Sequence, residues 1–365
     1  MTDEILYQIA LSKIPNIGPV TAKNLLSYCG SAQAIFHETK SGLEKIPGIG
    51  AAKAEIILNA KDLKQAEREL VFIQKHGIQP VFFSDEQYPR RLKQIESAPI
   101  ILYFKGSASL NPARTVGIVG TRTPTDQGRI ITEKIVEGLK SYGVTIISGL
   151  AYGIDAITHR KSVEHSIDNI GVLGHGLDML YPSEHRELAS KMIHHGGLLT
   201  EFPSNTNPDK ENFPMRNRII AGMCDALIVI ESKVKGGSII TAEFANDFNK
   251  DVFAVPGRPT DEYSGGCNAM IKKHKAFLLE KIEDLLYIMR WDEIDKKKSI
   301  QSRLFVELSP EEQKIMDQLR NVSDLSIDEL CYRLQCPSSQ IAPVLLQLEF
   351  SGILRSLPGK RYMIN

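Results

Sequence analysis

Residues 116–124 read VGIVGTRTP, a short apolar run that ends in glycine and is followed by a polar turn. A pattern typical of an amphipathic helix follows at 128–142. The same order recurs along the chain, with further strand candidates at 144–147, 170–173, 198–200, 226–230 and 252–255. Nearly continuous apolar strands that alternate with helices predict an α/β fold, with a mostly parallel sheet covered by helices on both faces.

The carboxyl ends of these strands hold the candidate functional residues, and ligands of parallel sheets bind at such ends. The first turn contains Gly120, Thr121 and Arg122, and it matches neither the dinucleotide fingerprint GxGxxG nor the phosphate loop GxxxxGK[ST]. We expect the guanidinium of Arg122 to bind a phosphate through paired hydrogen bonds. A salt bridge at the start of the helix is the alternative interpretation.

The second turn, SGLAYGID at 148–155, ends in an acid that we place at a helix N-terminus. Arg160 follows about one helical turn later, beside His159, and is a candidate second phosphate ligand. A network of capping hydrogen bonds is the alternative for this segment. Tyr152, next to Gly153, is interpreted either as a platform on which a base stacks or as a packing residue.

Two later segments also predict anion binding. Residues 212–220 read NFPMRNRII, which places two arginines around an asparagine at the start of a helix. Residues 233–243 read KVKGGSIITAE, in which two lysines precede glycines that open a helix. The N–H groups at the start of such a helix are suited to bind phosphate. The turns together predict a basic pocket at one edge of the sheet.

The segments on either side of the α/β region differ from it in pattern. Residues 14–22, IPNIGPVTA, align with 46–54, IPGIGAAKA, and each copy predicts two helices joined by a tight turn. This doubled pattern resembles the helix-hairpin-helix module, which either contacts phosphate or is a compact packing unit. Short apolar pieces at 80–83 and 99–104 predict strands or extended arms that lead into the α/β domain.

The C-terminal segment, 309–365, shows three helical patterns and a hairpin-like end, which is the outline of a winged helix. Its recognition-helix candidate, 338–349, contains no lysine or arginine, and this favours a protein contact or a regulatory role over reading of DNA sequence. The predicted domains are a helical domain at 1–76, a DNA-binding domain at 77–294, a linker at 295–308 and a winged-helix-like domain at 309–365.

The composition narrows the class of protein. With 42% hydrophobic residues, and with 44 basic residues balanced by 44 acidic ones, the chain is not globally disordered and any basic surface is local. Five scattered cysteines without a CxxC pair predict free thiols, and the histidines form no recognisable metal motif. No transmembrane helix or signal peptide is recognised, so we expect a cytoplasmic protein without cofactor or metal.

Several motifs together resemble the DNA-processing protein A (DprA/Smf) family. They are VGTR at 119–122, SGLAYGID at 148–155, HR at 159–160, GHGLD at 174–178, FPMRNRIIA at 213–221, GSIITA at 237–242, VPG at 255–257 and GCN at 266–268. The sequence departs from the family pattern at Thr121, Tyr152, His175 and Gly265, where serine, arginine, cysteine and arginine are frequent.

The resemblance implies an extended Rossmann-like, doubly wound sheet in a bacterial, non-enzymatic protein that binds single-stranded DNA. It also implies that the protein protects incoming strands in natural transformation and helps to load RecA recombinase. A homodimer and an interaction with single-strand-binding protein are further expectations. The residues expected to bind DNA are Gly120, Thr121, Arg122, Tyr152, Gly153, His159, Arg160, Arg216, Asn217, Arg218, Lys233, Lys235, Gly236, Gly237 and Ser238.

Two other functions stay open from the sequence. The segments 215–218 and 236–243 also resemble the phosphoribohydrolase family, in which Glu243 would assist loss of the base from a nucleoside monophosphate. The Gly-Thr core and the doubled acid of that motif are missing here. The second alternative is a scaffold whose terminal modules carry the activity.

Overall fold

The computed structural model describes residues 2–60, 62–291, 309–320, 322, 324–351, 353–357 and 360–364. The described chain divides into two compact units, 1–289 and 290–365. The predicted linker at 295–308 lies outside the described residues. No helix in these described ranges combines the length and the hydrophobicity needed to cross a lipid bilayer.

The first unit begins with a helical region whose repeat forms two matching hairpins. Its helices are α1 (Thr2–Ser12), α2 (Pro19–Cys29), α3 (Ala32–His37), α4 (Lys40–Glu44), α5 (Ala51–Asn59) and α6 (Lys64–His76). The turns before α2 and α5 contain Asn16 and Gly48 at equivalent positions, and both have left-handed backbone, with φ of 61° and 81°. The small residues Ala22 and Ala54 are buried in the two copies. The predicted helix-hairpin-helix pattern is confirmed.

Nine strands form one sheet in the order β1-β2-β6-β5-β4-β3-β7-β8-β9. The strands are β1 (Gln79–Phe82), β2 (Ile101–Gly106), β3 (Arg114–Gly120), β4 (Val144–Ser148), β5 (Asn169–Val172), β6 (Gly196–Thr200), β7 (Ala226–Ile230), β8 (Asp251–Ala254) and β9 (Phe277–Leu278). From β6 to β9 all neighbours are parallel, whereas β1 and β2 pair antiparallel at one edge. The pieces left open as strands or arms are therefore strands of the main sheet.

Helices cover both faces of this sheet, as the sequence predicts. The remaining helices of the unit are α7 (Arg90–Lys93), α8 (Asp126–Leu139), α9 (Ile154–Glu164), α10 (Arg186–His194), α11 (Asn212–Met223), α12 (Gly237–Asp247), α13 (Gly265–Lys272) and α14 (Ile282–Ile288). Helix α9 packs against α8 and α10, whereas α11 packs against α12, and both α9 and α11 lie on β3 and β4. Two helix layers therefore enclose strands that are buried along most of their length.

The order of strands places a topological switch at β3. The chain runs from β3 outward through β4, β5 and β6, and then returns to pair β7 with the other side of β3. The connections that follow β3 and β7 consequently leave the sheet in opposite directions and open a crevice outside its carboxyl edge. This crevice is where the candidate functional residues gather.

The second unit has the predicted winged-helix outline. Its elements are α15 (Pro310–Leu319), β10 (Leu325–Ser326), α16 (Ile327–Leu334), α17 (Ser338–Phe350), β11 (Leu354–Leu357) and β12 (Arg361–Ile364). The strands form an antiparallel sheet in the order β10-β12-β11. Leu330, Leu345 and Leu348 are fully buried between the helices. The unit therefore has a hydrophobic core of its own.

Candidate nucleic-acid interface

A cleft of about 520 Å³ opens at the topological switch, outside the carboxyl ends of β3 and β7. We call it the switch-point cleft. Its lining includes Gly120, Thr121, Arg122, Thr123, Lys210, Phe213, Arg216, Asn217, Lys233, Gly236, Gly237 and Ser238. Nine of the residues predicted from sequence are thus brought together from three segments of the chain.

The turn after β3 presents Arg122 to solvent. The amide of Thr123 donates to the hydroxyl of Thr121 at 3.2 Å, which folds the turn back on itself. The amide of Ile154, the first residue of α9, donates to the carbonyl of Thr121 at 3.1 Å. These bonds fix the backbone on both sides of Arg122 while its side chain stays exposed.

The first turn of α12 forms another wall of the cleft. Gly236 is the N-cap, and Gly237 and Ser238 begin the helix. The first N–H groups of a helix have no acceptor within it, so this end is suited to bind an anion. The hydroxyl of Ser238 is buried and donates to the hydroxyl of Ser232 at 2.7 Å. Ser238 therefore shapes the turn with its side chain and offers a ligand its backbone.

Arg216 lies in the floor of the cleft with only 4% of its surface exposed. Its Nη1 donates to the carbonyl of Val172 at 2.9 Å, and its buried Nε has no hydrogen-bond partner among the described residues. Burial lowers the pKa of Arg216 to about 10, and the nearby Asp155 carboxylate opposes that shift. The guanidinium accordingly stays charged at neutral pH, next to the Asp155 carboxylate, which also lines the cleft.

Gly149 makes room for the buried Arg216 and for Asp155 next to it. A Cβ at Gly149 would overlap Nη1 of Arg216 and would stand 2.7 Å from Oδ2 of Asp155. Burial raises the pKa of Asp155, whereas the guanidinium of Arg216 and the amide of Ala151 oppose that rise. The acid that the sequence placed at the N-terminus of α9 thus also compensates the arginine in the cleft floor.

Phe213 is a cleft residue that the sequence analysis missed. The guanidinium of Arg122 lies 5.3 Å from the centroid of its ring, and that of Arg216 lies 5.9 Å from it. Phe213 precedes Arg216 by three residues, so both side chains lie on one face of α11. This three-residue spacing is the feature of the sequence that could have placed Phe213 beside Arg216. Lys210, just before α11, also lines the cleft and was missed.

A second depression of about 570 Å³ lies on the other side of Arg122, and we call it the arginine hollow. Its lining includes Arg122, Thr123, Arg129, Tyr152, Gly153 and Arg160. Arg122 and Thr123 also line the switch-point cleft, so the two depressions share a rim. Tyr152, Gly153 and Arg160 were predicted from sequence, whereas Arg129 was missed.

Three predicted residues lie elsewhere. His159 is completely buried, with Nδ1 2.9 Å from Oδ1 of Asn169, and burial lowers its pKa to about 4. Arg218 is paired with Glu201 and donates to the carbonyl of Ser97, and it lines neither depression. Lys235 is exposed in the loop before α12 but is absent from the lining of both.

Lys233 is in the cleft but already has a carboxylate partner. Its Nζ lies 2.7 Å from Oε1 of Glu262, and 5.0 Å from the centroid of the Tyr263 ring. The hydrogen bond to Glu262 raises the pKa of Lys233. A phosphate that reaches Lys233 therefore competes with Glu262.

Comparison with known proteins identifies the whole chain. Residues 79–290 match the family model described as DNA recombination-mediator protein A. The chain belongs to this family. Residues 304–360 match its winged-helix domain, and residues 9–62 match a tandem helix-hairpin-helix model. The family predicted from the motifs is confirmed, together with a DNA-processing role as a recombination mediator.

Relatives in this family match most of the chain. Protein Smf of Synechocystis is 31% identical, over 98% of this chain and 98% of its own. The crystal structure of DNA processing protein A from Streptococcus pneumoniae is 31% identical, covers 77% of this chain and 97% of its own, and superposes with a TM-score of 0.67. DNA processing protein A from Helicobacter pylori, described in its single-stranded DNA binding mode, is 26% identical, with a TM-score of 0.54 and coverage of 59% and 96%.

The enzyme alternative receives no support from the site. Glu243, the residue that would assist loss of a base, is exposed on α12 and is absent from the lining of the switch-point cleft.

Proposed function

We propose that the chain binds the phosphate backbone of single-stranded DNA in the switch-point cleft. The observation that carries this proposal is the convergence of Arg122, the N-terminus of α12 and the buried Arg216 on one cleft. Because the net charge of the chain is zero, this local concentration of positive groups is not simply the result of an excess of basic residues. The Helicobacter relative, described in its single-stranded DNA binding mode, supports the choice of ligand.

An aromatic residue among cationic groups favours a single strand over a duplex. Unpaired bases stack on aromatic side chains, whereas bases inside a duplex have their faces covered. Phe213 supplies such a ring, with the guanidiniums of Arg122 and Arg216 within 6 Å of its centroid. We accordingly assign Phe213 to base stacking. Phosphate binding is assigned to Arg122, Arg216 and Lys233, and to the polar and backbone groups of Gly120, Thr121, Asn217, Gly236, Gly237 and Ser238.

The wider role in this proposal follows from the family. We propose that the protein, as a homodimer in the cytoplasm, protects incoming single strands in natural transformation and helps to load RecA recombinase onto them. Single-strand-binding protein is a further partner in this proposal. Loading is tested by RecA filament formation on a strand coated with single-strand-binding protein, with and without the chain. The domain boundaries at 76, 294 and 308 belong to the same proposal.

The binding proposal is tested with fluorescently labelled single-stranded and duplex DNA over a series of salt concentrations. We expect affinity for the single strand to fall steeply with salt, because bound phosphates release counterions. Arg122→Ala weakens binding and lowers the slope of log K against log salt by roughly 0.7, the value for one lost phosphate contact on a single strand. Arg68→Ala is the matched control, because Arg68 is an exposed arginine on α6, outside the cleft lining.

Two outcomes would overturn the proposal. One is equal affinity for duplex and single strand in wild type. The other is an Arg122→Ala variant that binds the single strand like the Arg68→Ala control.

A further inference from the structure

The arginine hollow contains three arginines that have no carboxylate partner among the described residues. Arg122, Arg129 and Arg160 are exposed, and none has a carboxylate within ion-pair distance among the described residues. Arg91 and Arg218, in contrast, are paired with Asp225 and Glu201. The lining of the hollow contains no acidic side chain.

An aromatic ring stands at the same hollow. Tyr152 has 40% of its surface exposed, and its ring meets that of His185 edge-on at a centroid distance of 5.3 Å. His185 is buried, with Nδ1 3.0 Å from the carbonyl of Leu150. The nearby carboxylate of Glu184 raises the pKa of Tyr152. The ring is therefore held in place while part of it stays open to a ligand.

The hollow is continuous with the switch-point cleft. Arg122 and Thr123 line both depressions, and a narrow crevice between them is lined by Arg122, Tyr152 and Phe213. Two exposed or half-exposed aromatic rings thus lie close to the same arginine, one toward each depression. Arginines interleaved with aromatic rings along a groove are the pattern by which proteins hold an unpaired strand.

We propose that the arginine hollow is a second subsite, in which Arg129 and Arg160 bind the phosphates of the strand segment next to the one in the cleft, and Tyr152 stacks on a base. This inference rests on the proposed function and extends it to the path of the strand. The strand crosses the rim at Arg122 and enters both depressions. A duplex is too stiff to bend over a single side chain in this way, since its persistence length is about 150 base pairs.

The proposal predicts a dependence on strand length. An oligothymidylate of about six nucleotides fits one subsite, whereas one of about twenty reaches both, given site sizes of roughly 4–16 nucleotides in comparable grooves. The double variant Arg129→Ala/Arg160→Ala is compared with wild type on both oligomers. We expect it to weaken binding of the long one about tenfold or more, to lower its salt slope by roughly 1.4, and to leave the short one, held in the cleft, unchanged.

Matched controls separate this effect from a general loss of charge. Arg68→Ala/Lys75→Ala removes two exposed cations from α6 and is expected to bind both oligomers like wild type. Tyr152→Leu is expected to weaken binding of the long oligomer, whereas Tyr152→Phe preserves it because the ring remains. Thermal unfolding of each variant verifies that the fold is intact.

The outcomes distinguish the subsite from the proposed function. If Arg129→Ala/Arg160→Ala binds the long oligomer like the α6 control while Arg122→Ala is impaired, the subsite is refuted and binding in the cleft stands. Equal losses on both oligomers would refute a strand that runs from cleft to hollow. If wild type binds neither oligomer, the proposed function itself fails.

Discussion

The guanidinium of Arg122 lies 5.3 Å from the centroid of the Phe213 ring, and this contact joins two segments that are 91 positions apart in the sequence. Arg122 lies in the turn after β3, and Phe213 lies in the first turn of α11. The contact holds a cation and an aromatic ring together in the switch-point cleft, where a phosphate and its base are expected to bind. It also makes Phe213 the first residue to test.

Phe213→Leu is expected to weaken single-strand binding about tenfold, because a stacked base contributes roughly 1–3 kcal/mol. Phe213→Tyr preserves an aromatic face and is expected to bind nearly like wild type. Fluorescence anisotropy with a labelled single strand measures both. An equal loss in the two variants would show that the position matters for packing and not for stacking.

Gly237→Ala tests the N-terminus of α12. A Cβ at Gly237 would meet no heavy atom within 4 Å, so the fold is expected to tolerate it and thermal stability to stay the same or rise slightly. The methyl group would obstruct the approach of phosphate to the helix amides. Loss of one charge-assisted hydrogen bond, worth about 1.5 kcal/mol, corresponds to about tenfold weaker binding. Unchanged affinity would remove this helix end from the site.

Gly236→Ala is the structural counterpart of that variant. Its Cβ would overlap the hydroxyl of Ser232, so the turn has to rearrange and thermal stability is expected to fall. Thermal unfolding is therefore expected to show a lower stability for Gly236→Ala and an unchanged or slightly higher stability for Gly237→Ala.

Glu262→Gln is expected to strengthen single-strand binding. The carboxylate of Glu262 forms an ion pair with the ammonium of Lys233, and replacing it with an amide leaves that ammonium free to bind phosphate. Exposed ion pairs contribute up to about 1 kcal/mol, so the gain is at most about fivefold. Glu67→Gln on α6 is the control with the same change in net charge, since Glu67 is exposed and outside the cleft lining. Equal gains in both variants would point to overall charge instead of competition for Lys233.

Arg218→Ala is expected to affect stability more than DNA binding. Arg218 and Glu201 form a pair whose side chains are 11% and 9% exposed, and loss of one partner leaves the other charge buried. Such a loss costs about 3 kcal/mol. Burial raises the pKa of Glu201 to about 7, so the penalty is expected to be larger at pH 8 than at pH 6, where the carboxyl is protonated. Urea unfolding at both pH values checks this, and a loss of affinity without loss of stability would contradict it.

His159→Gln tests the role of a buried histidine. The pKa of His159 is about 4 in the folded protein and near 6.5 in the unfolded chain, so between these values the unfolded state binds more protons. Its contribution to the free energy of unfolding therefore falls by about 3 kcal/mol as pH drops from 6.5 to 4. Glu201, with a raised pKa, has the opposite sign, so the difference between wild type and variant is the quantity to measure. Parallel pH profiles for the two proteins would contradict the prediction.

The local pattern of the sequence was sufficient to predict the helices and strands, and to predict that the ligand binds at the carboxyl edge of the sheet. The apolar run at 226–230 is β7 without correction, and the other predicted strands of the parallel sheet lie within two residues of their observed bounds. The repeat of 14–22 at 46–54 became two equivalent hairpins, because its glycines, prolines and small residues act on their immediate neighbours. The carboxyl edge followed from the general geometry of parallel sheets.

Tertiary structure decided which side chains of that edge face a ligand. Sequence identifies Arg122, Arg216 and Arg218 as equivalent cations, yet the fold exposes the first, buries the second beside Asp155 and pairs the third with Glu201. Phe213 and Arg129 acquire their significance only from neighbours that are distant in the chain. Charge, burial and pairing depend on contacts between segments, and a pattern of residues along one segment does not contain those distances.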